Sequence, residues 1–423
     1  MRARGALVDL GPLRSSAAFR RLWIGTTTSG LSGQVATVAV LFQVWELTGS
    51  PAWVGAIGGA TAVPTVVLGL AGGALADAVD RRRLVLLTSA GGALAAGLLA
   101  VQAAVGVRSL ALVLVLVAAQ TGCQALGSAS RRTFVARLLS REQVPSGVAL
   151  NHVSFQLAML AGPALAGLVL AGRGLTACYL LDTAAVAVSL YGVARLPTML
   201  PTMRPAGGTA RVGLRSTWDG WLFLVHCPVL AGSVATDLAA TLLAMPVALF
   251  PVLNQQRNGG DPRTLGLFLS AVALGGIVAG FASGTFVRAR RPGAVMLAAA
   301  SVWGAALAGV GVVSTLLPTL ACLVVAGAAD TVAVISRGTV VQLATPDPYL
   351  GRVTSVENVV GVGGPGLGDV RAGAVAALTS ASFAALSGGL ACVVAVAALA
   401  AGNPALRRWR PQPDGEPVAA RPR

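Results

Sequence analysis

Apolar residues run in long stretches, and polar or charged residues fall in short clusters between them. Crossing a bilayer as helix takes about 20 residues. Twelve stretches reach that length, at 20–47, 51–76, 84–106, 109–130, 147–171, 175–195, 226–253, 264–287, 293–315, 317–338, 354–380 and 382–401. They are apolar all round rather than alternating, which predicts helices and not barrel strands. Residues 196–217 interrupt the pattern with Pro197, Pro201, Pro205, Gly207 and Gly208, and with Arg204, Arg211 and Arg215. Such a segment predicts a linker between six spans and six spans. The expected organisation is a tail over 1–19, a bundle over 20–195, a linker over 196–225, a second bundle over 226–401 and a tail over 402–423.

Composition supports lipid as the solvent. Charged residues make up 11% of the 423, against roughly 25% in soluble domains, too few to clothe a water-facing surface. The net charge of +16 comes entirely from arginine, since the chain has no lysine. Without lysine there is no P-loop for ATP hydrolysis and no Schiff-base chemistry. With the N-terminus inside, the tails and inner loops hold 25 arginines, while the outer loops hold only Arg108, Arg173, Arg257 and Arg263. This bias predicts both termini on the cytoplasmic side. It accounts for the basic charge without nucleic acid, and places Arg407, Arg408 and Arg410 against anionic lipid. The residues up to Arg21 hold five arginines and no apolar run, so no cleavable signal peptide is expected. Cys123, Cys178, Cys227, Cys322 and Cys392 are scattered through apolar runs and read as small hydrophobes, without disulfide or metal roles.

The two halves echo each other. Ser130-Arg131-x-Thr133-x-Val135 recurs as Ser336-Arg337-x-Thr339-x-Val341, 206 residues later. Gly72, Val79, Arg82 and Arg83 recur as Gly280, Val287, Arg290 and Arg291 at an offset of 208. Two six-helix halves in the same orientation form a parallel repeat about an axis along the membrane normal, an arrangement suited to rocking about a central cavity.

The segment between spans two and three reads Gly72-Gly73-Ala74-Leu75-Ala76-Asp77-Ala78-Val79-Asp80-Arg81-Arg82-Arg83. Its glycines permit close helix approach. Asp77 is placed to pair with arginine or to sit at a helix N-terminus. Gly73-x-Leu75-Ala76-Asp77 followed by Arg81-Arg82 resembles the loop signature of the major facilitator superfamily. The resemblance extends over the whole chain. It implies an all-α membrane protein with twelve helices in two pseudo-symmetric bundles. It also implies a cytoplasmic latch made by Gly73, Asp77, Asp80, Arg81, Arg82 and Arg83, with Asp77 reaching the start of span eleven near Thr354 and Arg131 or Arg132 at the end of span four. Ala78 and Asp80 depart from the family pattern, so Asp80 is a second candidate for closing the latch.

Longer matches are narrower. Phe19-Arg20-x-Leu22-Trp23-x-Gly25, Leu47-Thr48-Gly49-Ser50, Met245-Pro246-x-Ala248-Leu249-Phe250-Pro251-Val252-Leu253, Ala326-Gly327-Ala328-Ala329-Asp330 and Gln342-Leu343-Ala344-Thr345-Pro346-Asp347 resemble the enterobactin-exporter branch. That branch implies siderophore export, with relatives in macrolide or multidrug efflux. Pro365, Gly366 and Arg371 depart from it, while Asp369 is kept. In span five, Gly162-Pro163 and Gly167 partly resemble the antiporter signature of exporters. Span four reads Ala118-Ala119-Gln120-Thr121-Gly122 and lacks the arginine of many proton-coupled members.

A carboxylate within lipid is costly unless it is paired, solvated or protonated, so each intramembrane charge marks a candidate site. These are Asp237 in span seven, Asp330 and Arg337 two turns apart in span ten, Asp182 in span six, and Asp369 with Arg371 in span eleven. Asp237 reads either as a proton carrier or as a structural partner of Arg337 or Arg371. Glu46 and Glu357 read as interfacial. By resemblance, Gln34, Thr37, Gln120, Asp237 and Thr241 would line the cavity; Gln156 is a further polar interruption. Gly361-x-Gly363-x-x-Gly366 lies in an apolar span with no preceding strand and is not a dinucleotide site. His152 and His226 have no ligand partners at metal spacing.

The expected protein is not an enzyme and uses no cofactor. It is a monomeric secondary transporter of the inner membrane, exporting a siderophore or drug-like small molecule in exchange for protons. The alternatives are an uncoupled or importing facilitator, and a sensor or scaffold that keeps the fold.

Overall fold

The computed structural model describes residues 9–197, 221–283, 286 and 289–410, without the side chains of residues 73, 74, 76–78, 347, 348 and 355. Among the described residues there is helix and no strand. The spans form α1 (Ala17–Thr48), α2 (Pro51–Ala78), α3 (Arg81–Val105) and α4 (Leu110–Leu138). Val144–Ala194 follows, broken by Gly174 into α5 (144–173) and α6 (175–194). Next come α7 (Pro228–Asn258), α8 (Pro262–Phe281), α9 (Pro292–Val312), α10 (Leu316–Ala344), α11 (Asp347–Leu378) and α12 (Ala381–Gly402).

Local chemistry sets the helix ends. The side chains of Ser16, Asp80, Ser109 and Ser380 accept backbone N–H groups of Phe19, Arg82, Leu112 and Phe383. These satisfy donors that no helix can pair internally. Proline opens α7 and α9, where its missing N–H is not needed. Gly174 has φ 75° and ψ −175°, a region essentially restricted to glycine.

Among the described residues, nine helices are long and apolar enough to cross a membrane, and one of these, Val144–Ala194, contains two of the expected spans. α1 and α11 fall outside that set. Gln34, Gln43 and Glu46 dilute the first, and a glycine run with Asp369 and Arg371 dilutes the second. The outward surface is apolar: Leu87, Val105, Phe281, Leu317 and Leu378 are all exposed. Water would penalise such a surface and lipid tails accept it. Inside, small residues let helices touch, because lipid supplies no hydrophobic drive between apolar helices.

Contacts divide the described residues into two compact units. The first lies within Met1–Gly49, Val63–Arg204 and Asp261–Ser270. Phe19, Val135, Leu139 and Leu150 form one buried cluster in it, and Leu22, Val85, Phe134, Val193 and Leu196 another. The second lies within Ser50–Ala62, Pro205–Gly260 and Ala271–Arg423. Here α8 and α10 meet backbone to backbone: a Cβ on Gly275 would strike the Val324 carbonyl, and one on Gly327 the Val272 carbonyl. All five cysteines are free; Cys178, Cys227 and Cys392 are buried, whereas Cys123 and Cys322 are only partly so.

Candidate functional site

The second unit gathers most of the intramembrane charge. Asp237 on α7 pairs through Oδ1 with Nη1 of Arg337 on α10. Nε of the same guanidinium binds Oε1 of Glu357 on α11 at 3.0 Å. Arg337 is 13% exposed, Asp237 14% and Glu357 19%, so solvent shields these pairs little. Of the two arginines that sequence offered as partners for Asp237, Arg337 takes the role. Glu357, expected at the interface, lies in this cluster, ten residues into α11. Asp330, one helix face with Arg337, is exposed and within electrostatic range of both Asp237 and Arg337. Two carboxylates thus share one guanidinium, and a third stands within electrostatic range of it. Oδ2 of Asp237 is buried without a hydrogen-bond partner. The Thr241 hydroxyl donates to the Asp237 carbonyl at 2.8 Å, one helical turn away.

Asp369 and Arg371 lie elsewhere on α11, at a break in α7. The helix stops at Leu243, turns through Ala244 to Pro246, makes a short 3₁₀ turn over Val247–Leu249 and resumes as Phe250–Asn258. Asp369 Oδ1 accepts the Ala248 amide at 3.0 Å, with the Val247 amide as a further donor. Arg371 donates through Nη2 to the Leu243 carbonyl.

The first unit holds a different arrangement. Asp182 on α6 is buried; it accepts the Ser32 hydroxyl at 2.8 Å and the Gln120 side-chain amide at 2.7 Å. Gln120, a cavity residue by resemblance, turns its amide toward this carboxylate. It is 8% exposed, because a carboxylate inside α6 draws its amide inward. Nearby, Tyr179 and Gln102 both donate to Oε1 of Gln43, at 2.6 and 3.2 Å. Gln34 and Gln156 are partly exposed, and Thr37 is exposed with its hydroxyl donating to the Gly33 carbonyl at 2.9 Å. The exporter-like motif sits where three helices meet. A Cβ on Gly162 would collide with Gln34 of α1, and one on Gly167 would lie 2.8 Å from the Arg263 Cα of α8. A Cβ on Gly266 of α8 would meet the Pro163 carbonyl.

In the candidate latch, Asp80 caps α3 by accepting the Arg82 amide at 2.9 Å. Arg82 donates to the Ala194 carbonyl at 2.6 Å, and Arg131 donates to the Ser89 hydroxyl at 2.7 Å. Arg81 is half-buried, and Arg83 and Arg132 are exposed. The side chains of Gly73 and Asp77 lie outside the described residues.

The family model for transmembrane secretion effectors, a group within the major facilitator superfamily, matches residues 8–414. The chain belongs to the transmembrane secretion effector family. The chain is 27% identical to the enterobactin exporter EntS of Citrobacter koseri, over 99% of this chain and 100% of that protein. It is 26% identical to EntS of Shigella flexneri, over 98% of each. Its fold is that of solved superfamily transporters. It matches the nucleoside transporter NupG with a TM-score of 0.70 at 15% identity, covering 91% of this chain and 98% of that one. It matches a bacterial homologue of the human lysosomal transporter Spinster, solved inward-facing and unoccupied, with a TM-score of 0.67 at 14% identity, covering 93% and 96%. The protein is therefore a multi-pass membrane transporter of the major facilitator fold and not an enzyme.

Proposed function

We propose that this transporter exports a siderophore or a related drug-like small molecule across the cytoplasmic membrane by proton-coupled alternating access. The observation that carries the coupling is the Asp237–Arg337–Glu357 cluster with Asp330 close by. One guanidinium cannot balance the two little-exposed carboxylates of Asp237 and Glu357, so one of them needs a proton or a cation while it is away from water. Protonation of Asp237 removes its attraction for Arg337 and leaves Arg337 to Glu357. Deprotonation restores the pair. Such a cluster has two charge states tied to helix positions on α7, α10 and α11.

Substrate class follows from full-length similarity to proteins named as enterobactin exporters. Gln34, Thr37, Gln156 and Thr241 are proposed to face the substrate. Gly73, Asp77, Asp80 and Arg81 to Arg83 are proposed to latch the inner face together with Arg131 and Arg132. Arginine weighting supports inner-face termini, and the monomer is the proposed working unit.

Reconstituted vesicles loaded with enterobactin and given a pH gradient provide the test. Wild-type protein is expected to move the siderophore uphill. Asp237→Asn is expected to support counterflow exchange but no uphill movement. Uphill movement in Asp237→Asn would remove Asp237 as the proton carrier, and wild-type counterflow that ignores the pH gradient would favour a facilitator.

A further inference from the structure

The break in α7 leaves two sets of backbone groups that no helix can satisfy by itself. The first part ends at Leu243 with carbonyls facing out of its C-terminus, which carries the negative end of the helix dipole. The second part begins at Val247 with free N–H groups at a positive end. Pro246 contributes no N–H at all. In a lipid environment irregular backbone persists only where protein supplies the missing partners.

α11 supplies both. Asp369, an anion, accepts the amides at the positive end. Arg371, a cation, donates to the carbonyl at the negative end. Each charge stands at the helix end of opposite sign. The approach is close because α11 presents glycine to α7. A Cβ on Gly364 would lie 2.6 Å from the Thr241 hydroxyl, and one on Gly368 would lie 2.9 Å from the Met245 Cβ. On its other side α11 meets α2. A Cβ on Gly58 would lie 2.6 Å from the Gly366 carbonyl oxygen and 2.8 Å from the Asp369 Cβ. Asp369 thus stands at a junction of three helices.

We propose that Asp369 and Arg371 are positioning residues that hold α7 broken, as an internal pair of caps, and tie that break to the α2–α11 contact. Both parts of α7 are then held against α11, each with its own direction, the first carrying Asp237 beside Arg337. The pair is not a proton site. Asparagine can replace Asp369, because its side-chain oxygen still accepts an amide. Lysine can replace Arg371, because it still donates to a carbonyl. Exchange of the two residues cannot serve, because it puts each charge at a helix end of its own sign while net charge and composition stay the same.

The test is hydrogen–deuterium exchange of the full chain in detergent, read on the peptide spanning residues 244–253, with α9 peptides and monodisperse elution as the control for folding. Asp369→Leu and the swapped variant Asp369→Arg/Arg371→Asp are expected to speed exchange at the break by about tenfold or more, the effect of losing a charge-assisted hydrogen bond. Asp369→Asn and Arg371→Lys are expected to stay within about threefold of wild type, as their hydrogen bonds survive. If the swapped variant fails the folding control, the Leu and Asn variants at 369 decide. Wild-type exchange in Asp369→Leu would overturn the proposal. So would an Asp369→Asn protein that loses pH-driven transport while its exchange at the break is unchanged, since that result makes Asp369 a proton carrier.

Discussion

Arg337 Nε and Glu357 Oε1 lie 3.0 Å apart, on helices joined by a short turn at Thr345 and Pro346. The same guanidinium holds Asp237 on a helix about a hundred residues earlier in the chain. A single arginine therefore links α7, α10 and α11.

Arg337→Gln should cost about 3 kcal/mol or more, the usual penalty for leaving a buried charge without its partner. The pairing of Arg337→Gln with Asp237→Asn should recover part of that loss, because Asp237 is then no longer an orphaned charge while Glu357 still is. Thermal unfolding of the four proteins of the cycle measures this. If the double variant loses the sum of the two single losses, the two residues are not coupled.

Gly174→Ala should destabilise the α5–α6 connection by about 1–3 kcal/mol, because its backbone geometry is nearly closed to side chains. Gly172→Ala, two residues away with open space around it, should be close to neutral or mildly stabilising. The melting temperatures of the two variants in one detergent provide the comparison.

Gly327→Ala should disrupt the α8–α10 contact, since its Cβ would occupy the place of the Val272 carbonyl. A loss of about 1–3 kcal/mol is expected for such overpacking. Gly338→Ala on the same helix meets nothing within 4 Å and should be tolerated. Equal stability of the two variants would mean that the helices are not this close.

Asp182→Asn should fold and keep both ties, its oxygen accepting from Ser32 and its NH2 donating to a Gln120 amide turned round to present its oxygen, while Asp182→Leu should lose about 1–3 kcal/mol by leaving a buried amide unpaired. Expression yield and unfolding temperature separate the two cases.

Asp77→Asn should abolish efflux while leaving membrane expression intact, if the proposed latch uses that carboxylate. Efflux at the wild-type rate would exclude Asp77 from the latch.

Much of the fold was legible because lipid imposes a simple length rule on apolar runs. The expected limits failed where helix outlasts hydrophobicity. Span four was expected to end at 130, yet α4 runs to Leu138 through Arg131, Arg132 and Arg137, since helix is indifferent to leaving the apolar layer. The site was less legible. Asp237, Asp330 and Arg337 stood out because charge is rare in such runs. Glu357 did not, because its importance comes from a contact between helices that sequence periodicity does not report. The break in α7 was also hidden. Met245 and Pro246 stood in a recognisable motif, but a proline alone does not reveal which charges sit opposite it. The repeated Ser-Arg motif shows the same limit: Arg131 serves Ser89, while its counterpart Arg337 serves two carboxylates.

The severed seventh helix sets a strict length on residues 244–247. One residue more or less would turn everything downstream by on the order of 100° about the helix axis. Arg257, which fastens the end of α9 at Val310 and Gly311 to Ser382 of α12, would swing off its anchorage. Insertions and deletions at this joint should therefore be purged even where single substitutions survive.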